Sequence, residues 1–303
     1  MALPHRMPQV QHSDSTDSMS GSFPMTTEES VRFWQPAPEV ATELVCAYLE
    51  TGESPLHVHE EWQFGVPEAP SKLSLGAFRR YGAHADDVTI VHPYDVHSEG
   101  SGVGTAPKWR MLYVAPSMVG RLYGEEVSRF RRPVVTDPAA AAELRELLRQ
   151  SGNGAITGFE FLRRIAQWLE QFLLRHAEDA ATPQQIPAVE RARAYLQDRP
   201  TQSVSLPEVG AIAGVTLSHL VRSFSKAVGL PPKSYHAQVR LARARRLLAE
   251  GKAATWVAYE CGFADQSHLS RRFKECNGVT PGAFQAQYRA QHHSLDAVDS
   301  TAA

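Results

Sequence analysis

The strongest constraint on what this chain can fold into is that its C-terminal third repeats itself. The stretch GFADQSHLSRRFKE, residues 262–275, has a weaker upstream copy in GVTLSHLVRSFSK, residues 214–226. Gly214 and Val215 fall on Gly262 and Phe263; after one extra residue in the second copy, Ser218, His219 and Leu220 fall on Ser267, His268 and Leu269. The register continues through Arg222 on Arg271, Phe224 on Phe273, Gly229 on Gly278 and Pro232 on Pro281. Each copy reads as a short helix with Val209 or Val257 inward, a glycine turn, and a second helix pinned by Leu and Phe at four-residue spacing. That is the sequence form of a helix-turn-helix.

With Leu269 and Phe273 turned to a core, Gln266, Ser267, Arg271 and Lys274 are left for outward display, and Arg272 lies near a flank. A helix fits the DNA major groove, where Arg bonds guanine bidentately, Gln reads adenine, and Ser, His or Lys reach base edges or phosphates. Charge agrees with this chemistry only once it is divided along the chain. The net charge of -2 conceals a segment, 187–290, with 15 Lys and Arg against 7 Asp and Glu, while the remainder is acidic. One such helix alone is more simply a solvated face; two of them in a basic domain point to a polyanion. The candidate DNA contacts are therefore Ser218, His219 and Arg222 in the first copy, and Gln266, Ser267, His268, Arg271 and Arg272 in the second. Between the copies, YHAQVRLARARRLLAEG sets Arg240, Arg243, Arg245 and Arg246 around an apolar stripe. As a helix it would be on the order of 20 Å long. It would hold the two readers roughly the 34 Å of one DNA turn apart, with one or two of its arginines on phosphates.

These residues resemble a known family. GFADQSHLSRRFKECNGVTP follows the second helix-turn-helix signature of the AraC/XylS family of bacterial transcription regulators, and SHLVRSFSKAVGLPPKSY its first. The resemblance implies two modules joined by a long helix, inserting into successive major-groove segments of double-stranded DNA. A place at the bacterial nucleoid and RNA polymerase as a candidate partner go with that resemblance, while a cytoplasmic protein is expected from the lack of an apolar span and of a charged-then-apolar start. Ala254 stands where a larger aliphatic is usual and Gly210 where Ala is usual; Phe284-Gln285 replaces Tyr-Arg, removing a terminal arginine contact.

Upstream, residues 31–115 favour short strands, ATELVCAYLE, WQFGV, KLSLGAFRRY, VTIVHP and WRMLYVAP, punctuated by Gly, Pro, Asp and Ser. LHVHEEWQFGV (56–66) and VTIVHPYDVHSEG (88–100) resemble the two short motifs of a cupin barrel of the arabinose-binding type. His57 and His59, two apart on a strand, share a face, and His97 can join them, a spacing compatible with a metal triad. Metal-binding cupins carry a Glu four positions after the second His; here Gln63 stands there, a poor metal ligand but a good partner for a polar molecule. A small-molecule effector site at His57, His59, Gln63 and His97, assisted by Trp62 or Trp109, is the reading adopted, with no metal and no cofactor. Structural histidines at a barrel mouth, or a metal site, are the alternatives. Two helices follow: DPAAAAELRELLRQ, with Asp137 as cap and Pro138 at its first position, and GFEFLRRIAQWLEQFLLRHAE, whose wide apolar face covers the barrel, pairs two subunits, or does both.

The expected fold class is α+β. A small antiparallel, cupin-like β-barrel with a helical dimerisation segment (31–177) is followed by a linker (178–187) and an all-α domain of two helix-turn-helix modules joined by a long helix (188–290). Tails at 1–30 and 291–303 are too polar to offset their ordering entropy and are expected to be disordered. No run of about 18 apolar residues is available for a membrane span, and Cys46, Cys261 and Cys276 are too scattered for a disulfide framework or zinc cluster. Paired carboxylates, a nucleophile elbow and a phosphate-cradling loop are all missing, so no catalytic residue is assigned and the chain is not read as an enzyme. A homodimeric, effector-responsive regulator is the function expected. A metal-dependent cupin enzyme fused to a DNA-binding domain, or a constitutive regulator whose barrel only dimerises, are the alternatives.

Overall fold

The computed structural model describes residues 30–37, 44–50, 53–101, 108–123, 130, 132–156, 158–177 and 187–287. The expected tails, apart from Ser30, and the linker up to 186 lie outside the described residues; Pro187 opens a helix instead of closing the linker.

The N-terminal region contains β1 (Ser30–Trp34), β2 (Leu44–Glu50), β3 (Trp62–Pro67), β4 (Ser71–Leu75), β5 (Arg79–Ala83), β6 (Asp87–Val91), β7 (His97–Ser101), β8 (Lys108–Val114) and β9 (Val134–Thr136). They form two antiparallel sheets, ordered β1-β2-β8-β3-β6-β9 and β5-β4-β7. The stretch KLSLGAFRRY, expected as one strand, is the hairpin β4–β5, because Gly76 at φ 60° turns the chain in a conformation that L side chains resist. The three-residue β9 and α1 (Pro116–Tyr123) are too short to show a period.

Both faces of the six-stranded sheet are covered, so its strands read as near-continuous apolar runs. On one face Trp34, Leu44, Phe64 and Leu112 pack under α2 (Pro138–Gly152) and α3 (Gly158–His176), with Leu144, Leu148, Phe161, Trp168 and Phe172 as the helical half of that core. The wide face of α3 thus covers the sheet. Trp62 is part of this core, stacked with Phe64 and edge-on to Phe130, and so does not assist an effector site. Asp137 caps α2 by accepting from the Ala140 amide at 3.0 Å, and its other oxygen meets His176 at 2.8 Å, tying the start of α2 to the end of α3.

The C-terminal region is helical: α4 (Pro187–Gln197), α5 (Leu206–Ala213), α6 (Leu217–Val228), α7 (Pro232–Ala249), α8 (Ala254–Glu260), α9 (Gln266–Asn277) and a last stretch, 281–287. Thr216 and Asp265 cap α6 and α9, each accepting from the amide three residues on, and Gly229 and Gly278 end them in left-handed conformation. Gly210 replaces a larger residue where a Cβ would come 3.1 Å from the Val215 carbonyl.

The helical region docks on the other face of the six-stranded sheet. Phe33, Val45, Trp109, Met111 and Tyr113 share a core with Leu241, Leu247, Phe273 and Phe284; Phe33 and Phe284 meet edge-to-face at 5.1 Å. The Gln287 amide behaves as one further residue of sheet edge, accepting from Phe33 N at 2.9 Å and donating to Val31 O at 3.2 Å. Of the arginines of α7, one or two of which were expected on phosphates, three are engaged within the fold. Arg240 donates to the Gly262 and Gln202 carbonyls; Arg245 lies over Tyr113 at 4.3 Å and 3.6 Å from Glu61; Arg246 lies 3.3 Å from Glu60. Arg245 and Arg246 thus join the helical region to the sheet region, whereas the contacts of Arg240 stay within the helical region. With 18 residues at 1.5 Å each, α7 is about 27 Å long.

Candidate functional site

The reading helices α6 and α9 are each held by two buried side chains, Leu220 and Phe224 in the first, Leu269 and Phe273 in the second. At about 100° per residue the face opposite those anchors carries Ser218 and Arg222 on α6, and Ser267 and Arg271 on α9. All four are exposed. Gln266 and His219 are exposed as well, the first in the opening turn of α9 and the second toward a flank of α6. Two of the expected contacts are placed differently. His268 folds back on its own turn, its ring edge-on to Phe263 at 5.5 Å and its Nδ1 accepting from the Ala264 amide at 3.5 Å. Arg272 pairs with Glu275 at 2.7 Å and lines a groove shared with α7, Pro55 and Leu56.

The histidine cluster of the N-terminal region is built by strand alternation and one bridge. His57 and His97 pair across an isolated antiparallel bridge whose two backbone hydrogen bonds, 2.9 and 3.0 Å, set their side chains side by side. His59 and Glu99, each two residues on, share those faces. The ring centroids of His57 and His97 are 4.2 Å apart and those of His59 and His97 4.6 Å. Gln63, paired with Tyr113 in β3–β8, has Oε1 2.7 Å from His59 Nε2 and donates through Nε2 to Glu99 Oε1 at 2.7 Å. The structure therefore brings His57, His59, Gln63 and His97 together. The carboxylate missed from sequence is Glu99, whose signal was its position two residues after His97 on the same strand.

Burial dominates the electrostatics here. It lowers His57 to about 4, with the neighbouring His97 adding to the effect, and holds His59 well below the usual histidine value. Burial alone would raise Glu99, but the adjacent histidines and the hydrogen bonds from Gln63 and Ser54 outweigh it and keep the carboxylate below its ordinary range.

Next to this cluster lies a cavity of about 250 Å³ between the two regions. Phe33, His57 and Tyr113 line it from the sheet side; Leu241, Arg245 and Lys274 line it from α7 and α9. Of the four expected effector residues His57 alone lines it; His59, Gln63 and His97 are buried beside it.

A family model described as AraC-like ligand binding domain matches residues 40–171, and one described as helix-turn-helix domain matches 209–287. The HTH-type transcriptional regulator YbfI of Bacillus subtilis is 26% identical over 226 residues, 71% of this chain and 81% of that protein. The HTH-type transcriptional activator RhaS of Klebsiella pneumoniae is 37% identical over 82 residues, 27% of this chain and 30% of its own length. Among solved structures, unsaturated fatty acid bound ToxT from Vibrio cholerae aligns with a TM-score of 0.52 at 13% identity, covering 87% of this chain and 96% of that one. Among the described residues, no helix is long and apolar enough to cross a membrane.

Proposed function

The chain belongs to the AraC family of DNA-binding transcription regulators with a ligand-binding N-terminal domain, and from that premise we propose how effector and DNA reader are coupled. A small-molecule effector occupies the cavity between sensor and reader, its polar end toward His57 and its body against Phe33 and Leu241. The observation that carries this is that both regions wall one cavity, so an occupant contacts both and biases how the reader is held. At about 250 Å³ the cavity is below the roughly 300–1,000 Å³ of common ligand sites, so the effector is compact or the reader shifts to admit it. ToxT, whose fold is similar, carries an unsaturated fatty acid, and Arg245 and Lys274 here provide cations for a carboxylate. Coupling is limited by the effector's different affinity for the two arrangements, on the order of 1–3 kcal/mol. The test fills the cavity: Leu241→Trp abolishes calorimetric binding of small amphiphilic acids and their effect on DNA affinity. Acids that still bind this variant as they bind the parent would place the effector elsewhere.

DNA is read by Ser218, His219 and Arg222 on α6 and by Gln266, Ser267 and Arg271 on α9, with Ser218, Arg222, Ser267 and Arg271 best aimed. Arg222→Ala or Arg271→Ala weakens a selected site by about 1–3 kcal/mol while leaving random DNA nearly unaffected; equal loss on both would make each a phosphate contact. The protein works on nucleoid DNA in the cytoplasm, with RNA polymerase as a further partner. It pairs as a homodimer through the ends of α3, where Phe159 and Leu174 are the exposed apolar side chains. Sedimentation of the full chain beside Phe159→Ser checks the dimer: an unchanged mass removes that contact.

A further inference from the structure

The structure assigns His57, His97 and Glu99 as a binding site for one divalent first-row transition-metal ion, beside the effector cavity. Gln63 at the expected carboxylate position spoke against a metal, but the fold supplies the carboxylate from another strand. One ligand atom from each of the three residues lies within 4.8 Å of the others. Bonds of roughly 2.1 Å in a tetrahedron need ligand atoms about 3.4 Å apart, so modest side-chain rotation closes the site.

Three further observations fit a cation. His57 Nδ1 is 2.9 Å from the Pro55 carbonyl and His97 Nδ1 is 2.9 Å from the Asp95 carbonyl. A carbonyl only accepts, so both Nδ1 atoms carry the proton and both Nε2 atoms present a lone pair, the arrangement in which second partners orient metal-binding imidazoles. His97 Nε2 is fully enclosed, has no hydrogen-bond partner, and stands 3.5 Å from Glu99 Oε1. Two lone pairs facing one another repel unless a cation lies between them. Glu99 is also oriented as a ligand would be, with Oε2 accepting from Ser54 Oγ at 3.0 Å and Oε1 from Gln63 Nε2 at 2.7 Å. His59 stays outside the set, with Nδ1 2.8 Å from the Glu61 carbonyl and Nε2 2.7 Å from Gln63 Oε1. Half-buried His57 lines the cavity, which gives the ion an entry route and leaves its remaining positions to water. Two imidazoles and a carboxylate suit Zn²⁺, Fe²⁺, Co²⁺ or Ni²⁺ over Mg²⁺ or Ca²⁺.

The experiment strips the full-length protein with a chelator and titrates it with Co²⁺, reading ligand-field bands, and with Zn²⁺ by calorimetry. One equivalent binds, raising the thermal midpoint. His97→Gln and Glu99→Gln weaken binding by at least the roughly 10–100-fold that loss of even an outer partner costs. Exposed His84→Gln and half-buried Cys276→Ser leave it unchanged. X-ray absorption at the cobalt edge of the parent protein, independent of whether any variant folds, shows two imidazoles with oxygen. Absence of stoichiometric binding would mean that a proton alone joins His97 to Glu99 and would overturn the site. Retention of binding in both ligand variants, or a sulfur scatterer, overturns it equally.

Discussion

Removing the Asp95 carboxylate tests whether specific contacts hold the reader on the sensor. Arg193 of α4 is 9% exposed and donates to Asp95 Oδ1 at 2.7 Å, to Tyr94 O at 3.0 Å and to Tyr235 Oη at 3.3 Å. Tyr94 sits at φ 60°, a left-handed conformation that costs a non-glycine residue about 1–2 kcal/mol, and in that conformation its carbonyl meets both Arg193 and Tyr235. In Asp95→Ala the guanidinium keeps a carbonyl and a phenol but loses its counter-ion. Breaking a fully buried pair costs about 3–5 kcal/mol. Here the Asp95 side chain is 21% exposed and the reader can swing away to hydrate Arg193, so the loss is nearer the 1.5–3 kcal/mol of one charged hydrogen bond. At about 1.4 kcal/mol per factor of ten, the docked-to-undocked ratio falls by roughly 10- to 150-fold. Amide hydrogen exchange reads this directly: residues 92–101 and 187–197 exchange faster, while the sheet under α3 does not. Arg193→Ala combined with Asp95→Ala recovers most of that energy, because neither charge is left alone. Unchanged exchange in Asp95→Ala, or strictly additive losses in the double variant, would refute the account.

Gly229→Ala places a Cβ 2.5 Å from Gly76 Cα, on a residue at φ 94°, so the first module lifts off the β4–β5 hairpin; accelerated proteolysis between sensor and reader without loss of helical circular dichroism is the outcome expected. Asp137 is held below its ordinary carboxylate value because the Ala140 amide, His176 and Arg175 outweigh its desolvation. Its contribution is present above about pH 3.9 and lost as pH falls through the lowered folded-state value, so Asp137→Asn flattens the acid limb of a urea-melt series, whereas Asp137→Ala costs about 1 kcal/mol at neutral pH as well. Arg272→Ala changes affinity for a selected site far less than Arg271→Ala, since its guanidinium is already bonded to Glu275; equal losses in a binding titration would place both in the groove.

The reader was legible because its determinants are local. Glycine stops, caps and an apolar pair four residues apart recur in both copies, and each acts within its own turn. Sheet order and docking depend on contacts distant in sequence, and no local pattern encodes them. Phe284 illustrates the difference. As a departure from its family it signalled only a lost arginine contact, yet it packs on both Phe33 and Phe273. Glu99 was readable in part, since alternation along β7 sets it beside His97, but its approach to Gln63 depends on how two sheets face one another.

Charge shows where sequence counting overstates function. The segment 187–290 carries 15 Lys and Arg against 7 Asp and Glu, and that excess was read as a DNA footprint. In the docked fold much of it has other work. Arg193, Arg245 and Arg246 are set against Asp95, Glu61 and Glu60 of the sensor, Arg240 is bonded to carbonyls, and Arg272 is bonded to Glu275. Arg222 and Arg271, with Lys226 near them, remain exposed on the reading helices, whereas Lys274 lines the cavity against the sensor. Each phosphate neutralised contributes about 0.9 to the slope of log affinity against log salt, so the docked protein shows a slope set by those few side chains. Undocking would free Arg245 and Arg246 and steepen it. The acidic sensor thus neutralises arginines that a charge count over 187–290 alone would assign to DNA.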